Sequence, residues 1–561
     1  MKRSIPSRSF FGTIHLGVWC CCWLWVGASS GFSQDCGSPG YVKEFQRFDG
    51  QDYQRLGHSV SGAGDVDGDG VDDFILGAPY SSPNGISAAG SVFVYSGATG
   101  ILLFQFDGQN QNDRFGDSVA GPGDTDGDGL ADILVGAYGF LGSRLQMAFL
   151  YSGADGSLLH QFSGPNSMAW FVAGAGDADG DGLGDLLIGA PSAAGGAGSV
   201  YLYSGASGSL IHQIDGSVLG GEFGASGSSA GDVDQDGHDD FLVGAPGHHP
   251  GFAFVYSGAS GNLLFQIDGP DHYYDNFGDQ VAAAQDVNQD GYPDFFIGSY
   301  ITSHPNGAFE AGAAYVHSGF DGSLLFQFDG AHQGAAFGYS LAGPGDMTGD
   351  GFPDLVVGSP WTSRGSAFIY CGATGELLKV LEGPSSGSDF GTSCAAIGDV
   401  DGNGTPDFVV GAPLADLSGQ GFDGSAYAYS FHRHLQLDQD SISAGMGGQI
   451  SFGLDFPETE AGVSYRLLGS LSGTGPWNVQ GGCIPLTFDW FSLDMLISPP
   501  AIFYDTMGTL DLQGNAVAGL VAPAGSLAAY EGQRAWFSAI AFHPLTGLHY
   551  ASQAKTVDVL P

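Results

Sequence analysis

Basic side chains are scarce in this chain. Only 14 Lys and Arg stand against 60 Asp and Glu, a formal charge of -46 over 561 residues. A field of that sign repels phosphate backbones, which argues against nucleic acid as a partner. Long apolar runs are missing beyond about residue 28, so no later segment reads as a membrane span. Helix-period stretches are missing there as well, which argues against an α-rich fold. Cysteine is sparse, seven in all, and Cys20, Cys21 and Cys22 fall in one N-terminal segment. The other four, Cys36, Cys371, Cys394 and Cys483, could form two bridges in an oxidising compartment, with three possible connectivities.

The N-terminal segment has Lys2, Arg3 and Arg8, an apolar stretch from Phe10 to about Ala28, then Ser29, Ser30, Gly31 and Ser33. This is the pattern of a signal peptide over residues 1–33, with an uncleaved anchor as the alternative. Glycine, by contrast, is abundant at 97 residues and has no collagen period. It punctuates short runs of Val, Ile, Leu, Phe and Tyr, which reads as many short strands joined by tight turns. With 43% hydrophobic residues there is ample material for a folded core.

One string, typified by Gly64-Asp-Val-Asp-Gly-Asp-Gly-Val-Asp-Asp-Phe-Ile-Leu-Gly-Ala-Pro79, recurs seven times. Its first Asp falls at Asp65, Asp124, Asp177, Asp232, Asp286, Asp346 and Asp399, at intervals of 53 to 60 residues. Eight or nine residues upstream stands a Phe-Gly-like pair: Leu56-Gly57, Phe115-Gly116, Phe223-Gly224, Phe277-Gly278, Phe337-Gly338 and Phe390-Gly391, with Met168-Ala169 in the third copy. Downstream come runs such as Ser91-Val-Phe-Val-Tyr95 and Leu102-Leu-Phe-Gln-Phe-Asp107. Each unit therefore supplies four strands. Such units cannot bury their faces alone, and closing seven of them into a ring protects both ends. The expected fold is all-β, a seven-bladed β-propeller over about residues 41–433. Its seventh blade lacks a last strand, and Glu44-Phe-Gln-Arg-Phe-Asp-Gly50 matches the missing copy. From about Leu435 to Pro561 the repeat is lost, and alternating runs suggest a small β-rich, sandwich-like domain.

The Asp-rich strings place carboxylates at positions 1, 3, 5 and 9 of a loop, a carbonyl at 7 and a Gly at 6 for the turn, which suits an ion wanting six to eight oxygens. Four loops carry the full acidic set: Asp65, Asp67, Asp69, Asp73; Asp124, Asp126, Asp128, Asp132; Asp177, Asp179, Asp181, Asp185; and Asp232, Asp234, Asp236, Asp240. Three loops each replace one carboxylate: Asp286, Asn288, Asp290, Asp294; Asp346, Thr348, Asp350, Asp354; and Asp399, Asp401, Asn403, Asp407. These loops hold 25 of the 60 acidic residues, so much of the charge lies where cations would neutralise it. The expectation is up to seven Ca2+, one per blade and weakest in the sixth. Mg2+ fits poorly because it keeps its waters and demands a strict octahedron.

Phe-Gly, Asp-x-Asp-x-Asp-Gly-x-x-Asp and Gly-Ala-Pro, together and in phase, resemble the FG-GAP repeats of the integrin α-subunit propeller and of related secreted bacterial proteins. The resemblance covers about residues 41–433. It implies Ca2+ loops on one face of a seven-bladed ring, with ligands meeting other surfaces.

On the face away from the Asp loops the copies differ most, and His272, Tyr273, Tyr274, Tyr300, His304 and Trp361 are candidates to converge there on sugar rings or protein side chains. Enzyme signatures are poor. Gly227-Ser-Ser-Ala-Gly231 matches a nucleophile elbow only formally, because it occupies a repeat position in a strand. His432-Arg433-His434 could hold a metal, but two histidines without evident partners more often mark a polar linker, and Asp spacing selects no glycosidase pair. The leading expectation is a secreted or cell-surface calcium-binding adhesion protein for an extracellular protein or glycan; the alternative is a secreted polysaccharide-acting enzyme. Carboxylates, a Tyr-His pair or a Lys clustered in the central funnel would favour the alternative, and aromatics and amides alone the binding protein.

Overall fold

The computed structural model describes residues 40–433, apart from 52, 140–145, 165–167, 248, 271–274, 303–309, 417, 418 and 420, together with strands between 435 and 560. The chain divides into two compact units, of which one is Gly40–Arg433. That unit consists of seven four-stranded antiparallel sheets. Blade one shows the pattern: Ser59–Gly64 is innermost, followed outward by Asp73–Ala78, Ser91–Tyr95 and Leu102–Asp107.

The second strands, such as Asp73–Ala78, Asp240–Ala245 and Asp294–Ser299, are buried along their whole length. A neighbouring blade covers each face, so both faces of the strand select apolar side chains. The outer strands, such as Leu102–Asp107, are only partly buried. Among the described residues the buried side chains form seven clusters, each spanning two adjacent blades. Phe74 and Leu76 of blade one pack with Val409 and Ala426 of blade seven, and Leu242 and Val255 of blade four with Phe295 and Ile297 of blade five. The cores lie between blades, so a blade contributes a half-core on each side and is stable only with its neighbours.

The ring is closed by Gly40–Asp49, which runs antiparallel to Ser425–Arg433 as the outer strand of blade seven. Phe48 faces Ala426 and is buried in the interface with blade one. The Ser425 hydroxyl donates to Asp49 Oδ1 at 3.0 Å. Ser91 and Asp107 make the same bond in blade one, at 2.7 Å, and Ser199 and Asp215 in blade three, at 2.7 Å. Asp49 therefore does in blade seven what Asp107 and Asp215 do in blades one and three.

The Phe-Gly pair marks where the chain enters each innermost strand. Six blades have glycine with φ between 82° and 89°, and a Cβ at Gly278 would lie 2.2 Å from the Phe252 carbonyl oxygen. Blade three has Ala169 at that place, held at φ 61°. An L-residue in this region is strained. Ala169→Gly is expected to raise stability by about 1 kcal/mol in chemical denaturation, less the extra chain entropy of glycine. Helical structure in the described residues amounts to two short 3-10 turns, Pro83–Gly85 and Ala194–Gly196. No helix there is long and apolar enough to cross a membrane.

Beyond residue 434 the described strands form a four-stranded sheet that includes Gly448–Asp455 and Asn515–Ala522, a six-stranded sheet that includes Arg534–His543, and a two-stranded pair.

Candidate metal centres and the opposite face

Each Asp loop leaves the end of an innermost strand, so the loops share the face opposite the Phe-Gly pairs. The backbone organises each loop in the same way. In loop one the amides of Gly68 and Gly70 donate to the two oxygens of Asp65, at 2.7 and 2.9 Å, and Val71 N–H donates to Asp69 Oδ1 at 2.9 Å. The same position-6 and position-7 bonds recur in the other loops, for example Gly237 to Asp232 and His238 to Asp236, or Gly351 to Asp346 and Phe352 to Asp350. These turns gather carboxylates. Oxygens of Asp65, Asp67 and Asp73 lie within 4.8 Å of one another, and so do those of Asp124, Asp126 and Asp132; Asp177, Asp179 and Asp185; and Asp232, Asp234 and Asp240. An all-oxygen cluster of this size can hold a hard cation, and the residues present fit one.

The ninth residue has a second task. Asp240 is fully buried; Oδ2 accepts from Val233 N–H at 2.8 Å and Oδ1 from Gly258 N–H at 3.0 Å, tying the loop to the turn between the blade's third and fourth strands. Asp73, Asp132, Asp185, Asp294 and Asp354 make the same link to Gly97, Gly153, Gly205, Gly319 and Gly372. Burial pushes Asp73, Asp185, Asp240 and Asp294 up to about 6, and Asp354 and Asp407 to about 7, with neighbouring carboxylates adding to the shift. Asp240→Ala is therefore expected to destabilise the chain even in chelator, by about 1–3 kcal/mol for each amide left without its acceptor. Asp236→Ala, on an exposed loop position, should cost far less there. Urea denaturation in EDTA checks the pair.

Loop seven departs from the rule. Its third strand runs on through Arg433 to pair with Gly40–Asp49, where the other blades turn, so no turn amide meets Asp407. Asp407 Oδ1 is buried without a hydrogen-bond partner. His432, which sequence alone assigns to a linker, comes to this loop, with Nε2 at 3.2 Å from Asp401 Oδ2; His434 lies outside the described residues. Loops differ around the ring in one further way. In loops two, three and four the position-8 amides of Ala131, Gly184 and Asp239 donate to the first-position carbonyls of Asp65, Asp124 and Asp177 in the preceding blade. Loops five, six and seven have Pro293, Pro353 and Pro406 there and lose that donor. They are also the three loops with a replaced carboxylate.

On the Phe-Gly face a funnel of about 590 Å3 opens on the ring axis. The residue after each Phe-Gly pair lines it: His58, Asp117, Trp170, Ala225, Asp279, Tyr339 and Thr392, one per blade, joined by Glu222 and Tyr300. These seven belong to no repeated motif; they vary at a fixed register, and that variation is their only signal in the sequence. Asp279 is pushed up to about 7 by desolvation and then by Glu222. His58 Nε2 lies 3.4 Å from Asp117 Oδ1. Of the six aromatic and histidine candidates, Tyr300 and Trp361 meet edge to face at 5.6 Å, and Tyr339 packs on Tyr300 at 5.4 Å. Trp361 stays half exposed. His272, Tyr273, Tyr274 and His304 lie outside the described residues. Cys371 and Cys394 are both free thiols, so these two do not bridge each other.

A family model of the FG-GAP repeat matches residues 56–95, 169–203, 223–261 and 277–317, and one of an FG-GAP-like repeat matches 346–410. The chain is 31% identical over 203 residues to integrin alpha-5 of Xenopus laevis, covering 33% of this chain and 19% of that protein. It is 36% identical over 190 residues to integrin alpha-7 of Homo sapiens (32% and 16%), and 30% identical over 234 residues to integrin alpha pat-2 of Caenorhabditis elegans (36% and 19%). It thus spans less than a fifth of the length of these relatives. With an Asp loop and a buried second strand in phase on every blade, this chain carries FG-GAP repeats on a seven-bladed β-propeller and is similar over them to integrin alpha subunits.

Proposed function

We propose that this chain is a secreted or cell-surface interaction protein whose Asp loops bind Ca2+ and whose Phe-Gly face meets an extracellular protein or glycan. Residues 1–33 would direct export and be removed, and residues 435–561 would form a separate β-rich domain. The observation that carries the reading is the division of labour between faces. Oxygen clusters of one design occupy one end of the blades, while the other end bears residues that differ from blade to blade around a funnel. A ring that repeats its scaffold and varies its rim is suited to recognition.

Half-exposed Trp361, with Tyr300 and Tyr339 behind it, supplies flat apolar area for a sugar ring or an apolar side chain. The test is to probe arrays of extracellular proteins and glycans with the full chain and with Trp170→Ala/Trp361→Ala. The expected result is a set of ligands lost in the variant while its melting temperature is kept. Ligands that survive the double change would move the binding surface elsewhere. A second reading, a polysaccharide-acting enzyme, draws on Asp117, Glu222 and Asp279 beside His58 and Tyr339 in the funnel. Under it, Asp279→Asn would stop the appearance of new reducing ends from a bound polysaccharide without weakening its binding.

A further inference from the structure

In the sixth blade one residue breaks a pattern kept around the ring. The third strand of each blade ends in Tyr or His followed by Ser at five places, Ser96, Ser152, Ser204, Ser257 and Ser318, and blade seven has Ser430; blade six has Cys371. In blade five the Ser318 hydroxyl donates to Asp290 Oδ2 at 3.2 Å, and in blade six the Cys371 thiol donates to Asp350 Oδ2 at 3.2 Å. The position therefore faces the Asp loop, and in blade six it brings sulfur to it. Cys371 Sγ and carboxylate oxygens of Asp350 and Asp354 lie within 4.8 Å of one another. Cys371 and Asp354 are buried, at 7% and 0% exposure.

A second observation comes from the loop itself. Thr348 holds the third position, where the full loops carry a carboxylate. It is 4% exposed, and its Oγ1 is buried without a hydrogen-bond partner. A hydroxyl in that state costs free energy unless something outside the protein meets it. Its backbone N–H already donates to Asp354 Oδ2 at 2.8 Å, which fixes the residue beside the cluster.

We propose that the sixth loop is a site for a thiophilic divalent cation of the zinc class, held by Cys371 Sγ, Asp350 and Asp354, with Thr348 Oγ1 or Asp346 completing four-coordination. The chemistry of the donor set decides the metal. Calcium wants six to eight oxygens, and this loop has lost a carboxylate and gained a sulfur. Zinc accepts thiolate with carboxylate in a tetrahedron, and softer sulfur ligands select it over Ca2+. On binding, the Cys371 S–H bond breaks and its proton leaves to solvent; the thiolate and two carboxylates then set three negative charges against the two of the ion, leaving the site with a net charge of one minus. The proposal extends the reading of the loops as cation sites, yet it depends on residues that only blade six has.

The test uses the full chain, stripped with chelator and returned to excess Ca2+. Titration with Cd2+ or Co2+ is expected to raise sulfur-to-metal charge-transfer absorption that saturates at one equivalent and is displaced by Zn2+. One equivalent of Zn2+ should slow alkylation of Cys371, mapped by peptide mass spectrometry, by roughly tenfold or more, because a metal-bound thiolate is no longer free to attack; Cys394 in the funnel serves as the comparison thiol. Cys371→Ser, which restores the residue of the other blades, should abolish the absorption and leave Ca2+-dependent melting intact. No charge-transfer absorption in the parent chain overturns the proposal, whether or not Cys371 reacts with the alkylating agent. Absorption without any Ca2+-dependent melting overturns the calcium reading of the other loops alone.

Discussion

Chelation is expected to lower the melting temperature of this chain by on the order of 10 °C, and Ca2+ but not Mg2+ should restore it. Mass action on repeated sites sets the size of the effect. An ion that binds only the folded chain stabilises it by about 2.7 kcal/mol per site at a hundredfold excess over Kd, and independent sites add. Loops one to four carry the full carboxylate set, so they dominate. The pH dependence should reverse between the two states. Without metal, the buried ninth-position carboxylates have folded values of about 6 to 7, above their ordinary 3.8. The folded chain then holds more protons than the unfolded one, so stability is highest below the ordinary value and falls as pH rises from about 4 to about 7. With Ca2+ bound, protonation competes with the ion, and stability should instead fall on acidification. Scanning calorimetry at several pH values, with and without EDTA, measures both trends. A metal-free chain that gains stability on going from acid to neutral pH would contradict the assignment of those carboxylates.

Removal of Gly40–Asp49 is expected to abolish the folded monomer. The segment pairs along nine residues of Ser425–Arg433 and places Phe48 in the interface between blades seven and one. Its loss uncovers a long strand edge and opens a core that two blades share. Exposed edges of this length recruit strands from other chains. The truncated chain should therefore elute as oligomers or aggregate, without one cooperative melting transition. Supplying residues 40–50 as a separate peptide should recover monomer in part. A truncated chain that melts as a monomer at the parent temperature would show that the ring does not depend on this closure.

The blades themselves were legible in the sequence because their signals are local. Phe277-Gly278 needs a left-handed residue after a buried aromatic, the Asp loop needs Gly at its sixth position, and a strand covered on both faces reads as the unbroken run Phe295-Phe296-Ile297. Repetition then made each weak signal strong. The blade-three exception was legible too, as Met168-Ala169, and the structure shows its cost as a strained φ at Ala169.

The sites were legible only in part. The candidate oxygens of the Asp loops are contiguous, and a turn motif brings contiguous residues together by itself. The double duty of Asp240 was not legible, because its second partner, Gly258, lies 18 residues on and is reached only through strand pairing. Cys371 beside Asp350, His432 beside Asp401 and the funnel ring of His58, Asp117 and Asp279 share that origin. Sequence by itself determined the strand count, the repeat and the composition of each loop, since these follow from backbone geometry and burial within one unit. Tertiary structure alone decided which side chain from another strand or another blade completes each site, because ring closure juxtaposes residues whose separation along the chain carries no signal of their distance in space.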